Sequence, residues 1–425
     1  MNGKILSCSN RVLTPPRLVA GLLGALLFAL LPTSAAIGQI AVRGKTVHTM
    51  AGPPISDGIV VIKDGKISAI GVADQIAVPD GYQVLSAEIV TPGLIDAHST
   101  VGLAGIYNQK HDQDQIERSA PIQPELRAID AFNAREDLIE WIRGFGVTTV
   151  HTGHAPGELM SGQTLIAKTA GRTVADCVIV PAKAIAATLG PNAQKSDAKS
   201  PGTRGKAIAM LRSELIKARE YLDKKQRAAE KGDQGEPPPR DLRLDALGQV
   251  LEGKVSLMIT LQRAVDIASA LRVADEFDIK IWLDGADESY LLVDEIKAAG
   301  VPVIIHPTMT RAFAEHENMS FETASKLVNA GIPVALQSGY ESYVPKTRVV
   351  LFEAAEAAAN GLSFEQALRT ITIDAAKILG IDDRVGSLEV GKDGDVAMYD
   401  GDPFEYTTHC TGTVIEGRVV SDKPR

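Results

Sequence analysis

The sequence predicts an α/β protein: a (β/α)8 barrel of the TIM type, carrying a small β-sandwich domain assembled from the N- and C-terminal segments. Two observations predict it. Hairpin-like segments crowd both ends of the chain. Between them, strand-like runs alternate with helical stretches over roughly 280 residues, the rhythm of repeated β–α units around a parallel sheet.

The first 38 residues stand outside that fold. Lys4, Arg11 and Arg17 are followed by an apolar run over 18–31, then Pro32 and a stretch of small residues, with no acidic residue before position 39. This is the layout of a signal peptide, and the run falls short of the about 20 residues a membrane-spanning helix needs. The expectation is an exported chain, periplasmic or secreted, without a stable membrane anchor.

Residues 39–91 and 385–425 are expected to form the composite β domain. Ile59-Val60-Val61-Ile62, Asp64-Gly65 and Lys66-Ile67-Ser68-Ala69-Ile70 read as a hairpin with a tight turn, and residues 414–420 read as another. Residues 92–384 are expected to form the barrel. Its candidate strands lie at 146–150, 255–259, 279–283, 301–305 and 332–336, with helices at 264–277 and 320–330. An insertion near 204–241 carries Ile208, Leu211, Leu215 and Leu222 on one helical face and ends in a Pro-rich loop. In such barrels chemistry sits just past the C-terminal strand ends. That directs attention to His98, His151, Thr260, Asp284, His306 and the pair Ser338-Gly339.

Bulk composition narrows the partners. Hydrophobic residues make up 45% and charged residues 23%, as in a globular protein with a large core. A net charge of −9 excludes nucleic acid and anionic lipid as expected partners. Cys8 lies in the leader, which leaves Cys177 and Cys410; their spacing does not decide between a disulfide and buried thiols.

Several motifs together resemble the amidohydrolase superfamily, in its imidazolonepropionase-like branch. Val90-Thr91-Pro92-Gly93-Leu94-Ile95-Asp96-Ala97-His98 is similar to that family's first barrel strand, and Gly146-Val147-Thr148-Thr149-Val150 to its second. Residues 263–277, 367–380 and 386–395 are similar to later helices and to the return into the β domain. The resemblance implies hydrolysis of carbon–nitrogen bonds, including those of cyclic amides, by water activated on one or two divalent metal ions. It implies ligands in a His-x-His pair after strand one, a His after strand five, a His after strand six and an Asp after strand eight, with a carboxylated Lys as an occasional bridge.

Placed on these positions, the sequence keeps few of them. His98 fills the first seat, Thr100 stands in the second, Thr260 in the fifth-strand seat, Asp284 in the sixth and Gly339 in the eighth. Threonine is a feeble zinc ligand and glycine has no side chain. His98 and Asp284 are therefore the candidate ligands. His151, His154, His306 and Lys168 are further groups that could complete a set, and Glu341 could substitute as a base. Two functions remain open. One is a hydrolase with a rearranged site holding one divalent ion, zinc fitting best. The other is a metal-free, inactive relative that binds a small molecule or serves as partner subunit to an active homologue. Homo-oligomers are a further expectation from the family.

Overall fold

The computed structural model describes residues 38–107, 109–195, 201–232, 235–306, 312–339 and 349–425. The expected signal peptide and Glu341 lie outside the described residues. Four strands open the chain: β1 (Ile40–Val47), β2 (Ile55–Lys63), β3 (Lys66–Val72) and β4 (Gln83–Pro92). Asp64 and Gly65 turn β2 into β3 with φ of 52° and 80°, the left-handed backbone that a two-residue hairpin loop requires. Strands β5 (Leu94–Ser99) and β6 (Val147–Thr152) follow. Next come β7 (Met160–Gln163), β8 (Leu165–Lys168), β9 (Val178–Val180) and β10 (Ala184–Thr188). Then come β11 (Ser256–Leu261), β12 (Ile281–Gly285), β13 (Val303–Ile305) and β14 (Val334–Leu336). The chain ends with β15 (Val396–Tyr399), β16 (Cys410–Ile415) and β17 (Arg418–Ser421).

Both chain ends enter one seven-stranded sheet in the order β17-β16-β15-β4-β1-β2-β3. The β domain is thus built from both chain ends, its strands hydrogen-bonded in one continuous order. Its apolar cluster mixes early and late residues: Val42, Val60, Ile62 and Val90 with Leu388, Val396 and Val414.

The central strands fall into two sheets. One has six strands in the order β14-β13-β12-β11-β10-β7, parallel from β10 through β14; the other has four in the order β5-β6-β8-β9. They meet twice. Ser99 bridges Gly339 in parallel, and Thr164 alone separates β7 from β8. Strands β10 to β14 are buried on both faces and are mostly apolar. Ile95, Ile166, Ala184, Ala186, Met258, Trp282, Ile304 and Ala335, one or two from each of seven strands, pack into a shared cluster.

The insertion contains a helix, Arg204–Glu230, capped by the Thr203 side chain, which accepts from the Lys206 N–H. Its buried face carries Ala207, Leu211, Leu215, Ala218 and Tyr221, with the helix Leu242–Leu251 packed beside it. Ile208 is only half-buried, so the face is rotated from the one expected. Cys177 and Cys410 are separate, buried free thiols. Among the described residues no helix is long and apolar enough to cross a membrane.

Candidate functional site

Strand ends bring the polar residues together. β5 delivers His98, β11 Thr260 and β12 Asp284, while the chain leaving β14 delivers Gln337, Ser338 and Gly339. His98 Nδ1 lies 3.0 Å from Asp284 Oδ1. Thr260 Oγ1 donates to Asp284 Oδ2 at 2.5 Å, and Gln337 Nε2 donates to Asp284 Oδ1 at 2.5 Å. His98 and Asp284 are 3% and 2% exposed, so the pair is sealed from water.

Electrostatics follow from that geometry. Burial alone would push the His98 imidazole down, but the charge and hydrogen bond of Asp284, helped by Asp96, leave it raised. Burial would push Asp284 up, yet His98, Thr260 and Gln337 together hold it below the usual carboxylate range. Asp96, one layer deeper on β5, accepts from the Ser338 N–H at 3.0 Å, from the Ser338 hydroxyl and from the His98 N–H at 3.3 Å. Burial nevertheless pushes Asp96 up to about 7 against those hydrogen bonds.

The other candidates are placed as follows. His151 Nδ1 meets the Ala97 carbonyl at 2.6 Å and its Nε2 meets Thr164 Oγ1 at 2.6 Å. A carbonyl only accepts, so Nδ1 carries the proton and the Nε2 lone pair is taken by the threonine hydroxyl. Burial, with the charge of His98, pushes His151 down to about 3. Its ring lies 5.9 Å from that of His98 and edge-on to Trp282. His154 is 5% exposed, pushed down to about 4 by burial, and neither ring nitrogen has a hydrogen-bond partner. Lys168, a possible bridging ligand on sequence grounds, is not brought to His98. Its ammonium lies 2.9 Å from Asp393 and also pairs with Asp395, tying β8 to the approach of β15.

His306 stands past β13 with Nδ1 3.2 Å from the Gln337 carbonyl and 4.0 Å from Glu353 Oε1. Its ring lies against Gly339, which has a φ of +64°. A Cβ on Gly339 would sit 2.5 Å from His306 Nε2 and 2.8 Å from its Cγ, well inside contact. This exclusion joins residues far apart in sequence, and nothing in the sequence pattern announces it.

The set does not fit the metal that the resemblance implies. Asp284 already accepts from three donors, and two of them, Thr260 and Gln337, would turn hydrogens toward an ion. His151 has no free lone pair, Lys168 is held elsewhere, and Gly339 has no ligand atom. Among the described residues no three His, Cys, Asp or Glu side chains gather as a metal cluster, short of the three protein ligands of a catalytic zinc.

A site of this kind at strand ends, beside a sheet made from both termini, defines a hydrolase-like fold. The model for the amidohydrolase family matches residues 261–421. An amidohydrolase from Thermotoga maritima superposes with a TM-score of 0.85 at 26% identity, over 90% of this chain and 100% of that one. An imidazolonepropionase from Streptococcus pyogenes is 24% identical over 391 residues, 84% of this chain and 87% of its own. Amidohydrolase tasK from Hapsidospora irregularis is 25% identical over 402 residues; the match covers 87% of this chain and 40% of that protein's length. The chain is a member of the amidohydrolase superfamily.

Proposed function

We propose that the chain is an exported, metal-free member of its superfamily, in which the two central sheets close as one (β/α)8 barrel whose mouth binds a small polar molecule. The seven-strand interior cluster and the Ser99–Gly339 bridge support the closed barrel. One observation supports the absence of metal chemistry: both carboxylate oxygens of Asp284 are already engaged, Oδ1 by His98 and Gln337 and Oδ2 by Thr260. The protein acts as a binding protein or as partner subunit to a metal-bearing homologue, and self-association is compatible with either role.

A second reading is hydrolysis of a carbon–nitrogen bond, such as that of a cyclic amide, by water on a single zinc ion. The length of the match to imidazolonepropionases favours it, as does His98 Nε2, which is buried without a hydrogen-bond partner. Counting zinc, iron and manganese per chain after purification without chelator separates the two. Substoichiometric metal, even after soaking, is expected. Stoichiometric metal that disappears in His98→Ala would overturn the metal-free reading and establish the hydrolase. Pull-down from the native host is expected to recover a homologue with the full ligand set if the partner role holds.

A further inference from the structure

The eighth-strand seat lacks its carboxylate but is not open. Gly339 has no side chain, and the space where one would begin is filled by the His306 ring. That ring has a defined orientation. Its Nδ1 faces the Gln337 carbonyl at 3.2 Å, with Glu353 Oε1 4.0 Å away on the same nitrogen. The Gln337 carbonyl only accepts, so in the neutral ring Nδ1 carries the proton and Nε2 is left bare. Free imidazole favours the opposite tautomer, so this arrangement is imposed by the fold. His306 is also the more open of the two histidines flanking Gly339: its side chain is 12% exposed, against 3% for His98. Gly339 ties the two together, since its N–H donates to the His98 carbonyl at 3.1 Å.

We propose that His306 has taken over the seat of the missing eighth-strand carboxylate and serves there as the acceptor that receives a ligand N–H or O–H. The inference rests on the metal-free small-molecule reading. It names the class of molecule the mouth takes: a small polar compound with a hydrogen-bond donor, such as a carboxamide. It also explains why position 339 is glycine, since any side chain would meet the histidine ring.

Two measurements on the full chain test it. In a long-range proton–nitrogen correlation of 15N-histidine-labelled protein, assigned with His306→Gln, His306 is expected to show the Nδ1–H tautomer. Acetamide, used as the probe, is expected to shift its bare Nε2 resonance upfield and to leave the exposed His409 unmoved. An Nε2–H tautomer, or an Nε2 that ignores acetamide, would overturn the assignment. The second measurement is a double-mutant cycle in thermal unfolding. Gly339→Asp is expected to lower the midpoint, and His306→Ala added to it to recover part of the loss. The backbone cost of a side chain at positive φ is common to both arms and cancels. Strict additivity would mean that the ring does not occupy the seat, and Gly339→Ala gives the same cycle if the aspartate variant does not fold. The outcomes separate from those of the metal count. A bound metal sinks the metal-free reading and leaves the tautomer untouched, whereas a wrong tautomer leaves the metal count as it was.

Discussion

Two buried charge clusters sit toward opposite ends of the central strands, and they are built differently. At the C-terminal ends, one ion pair, His98–Asp284, is wrapped by neutral donors and closed to water. Deeper in the fold, Lys168 lies between Asp393 and Asp395, and Lys66 and Arg384 reach Asp393 from half-exposed positions. The second cluster shares its charge among several partners and leaves no side-chain atom of Lys168, Asp393 or Asp395 unpartnered. The first leaves polar atoms over: His98 Nε2, Ser99 Oγ and both ring nitrogens of His154. Buried polar atoms without partners call for a ligand or ordered water. The deeper cluster is a fastener between sheets, whereas the strand-end cluster is the candidate site.

The largest expected effect is at Asp284. Asp284→Ala leaves His98 buried without its counter-ion and strands two donors, so a loss of about 3–5 kcal/mol is expected by denaturant unfolding. Lys168→Met is expected to cost somewhat less, about 3 kcal/mol, because Lys66 and Arg384 still face Asp393 and the Glu416 N–H still reaches Asp395. If Lys168→Met proved the more damaging, the distinction between site and fastener would fail.

The same contrast shows what the sequence could and could not disclose. His98 and Asp284 were legible because each stands one residue before the C-terminal end of its strand, where the family resemblance puts ligand seats. Lys168 ends its own strand, but β8 lies antiparallel to β6, with Lys168 level with Thr149 rather than with the strand end. The short strand β7 escaped because Met160-Ser161-Gly162-Gln163 has neither length nor branched residues to betray it. The fit of His306 to Gly339 arises only when two loops fold onto each other.

A smaller effect concerns Asp96. Its carboxyl is raised to about 7 by burial, so the folded state holds that proton more tightly than the unfolded chain does. Stability is therefore greatest at low pH for this group and declines as pH rises from about 4 to 7, by at most about 1.4 kcal/mol per pH unit. His98, also raised, contributes with the same sign, its stabilisation being lost as pH rises through its folded value. Asp284, held low, runs the other way and weakens the fold only as pH falls through its own folded value. Asp96→Asn is expected to flatten the decline in unfolding midpoint between pH 5 and 7; an unchanged slope would remove Asp96 from the account. The smallest expected effect is none. Dithiothreitol should leave the unfolding midpoint in place, because Cys177 and Cys410 are free thiols and neither cluster relies on a covalent tie.

The seven-stranded sheet has a consequence for how the molecule is made. β4 pairs on one edge with β1 and on the other with β15, which lies at the far end of the chain. While a ribosome is still producing the middle of the protein, that second edge has no mate and its row of amides and carbonyls stays open. Contacts between such distant segments form slowly, because a long loop must close first. Completion of the sheet, and with it the docking of Lys168 onto Asp393 and Asp395, is a late event that waits for the final residues to emerge.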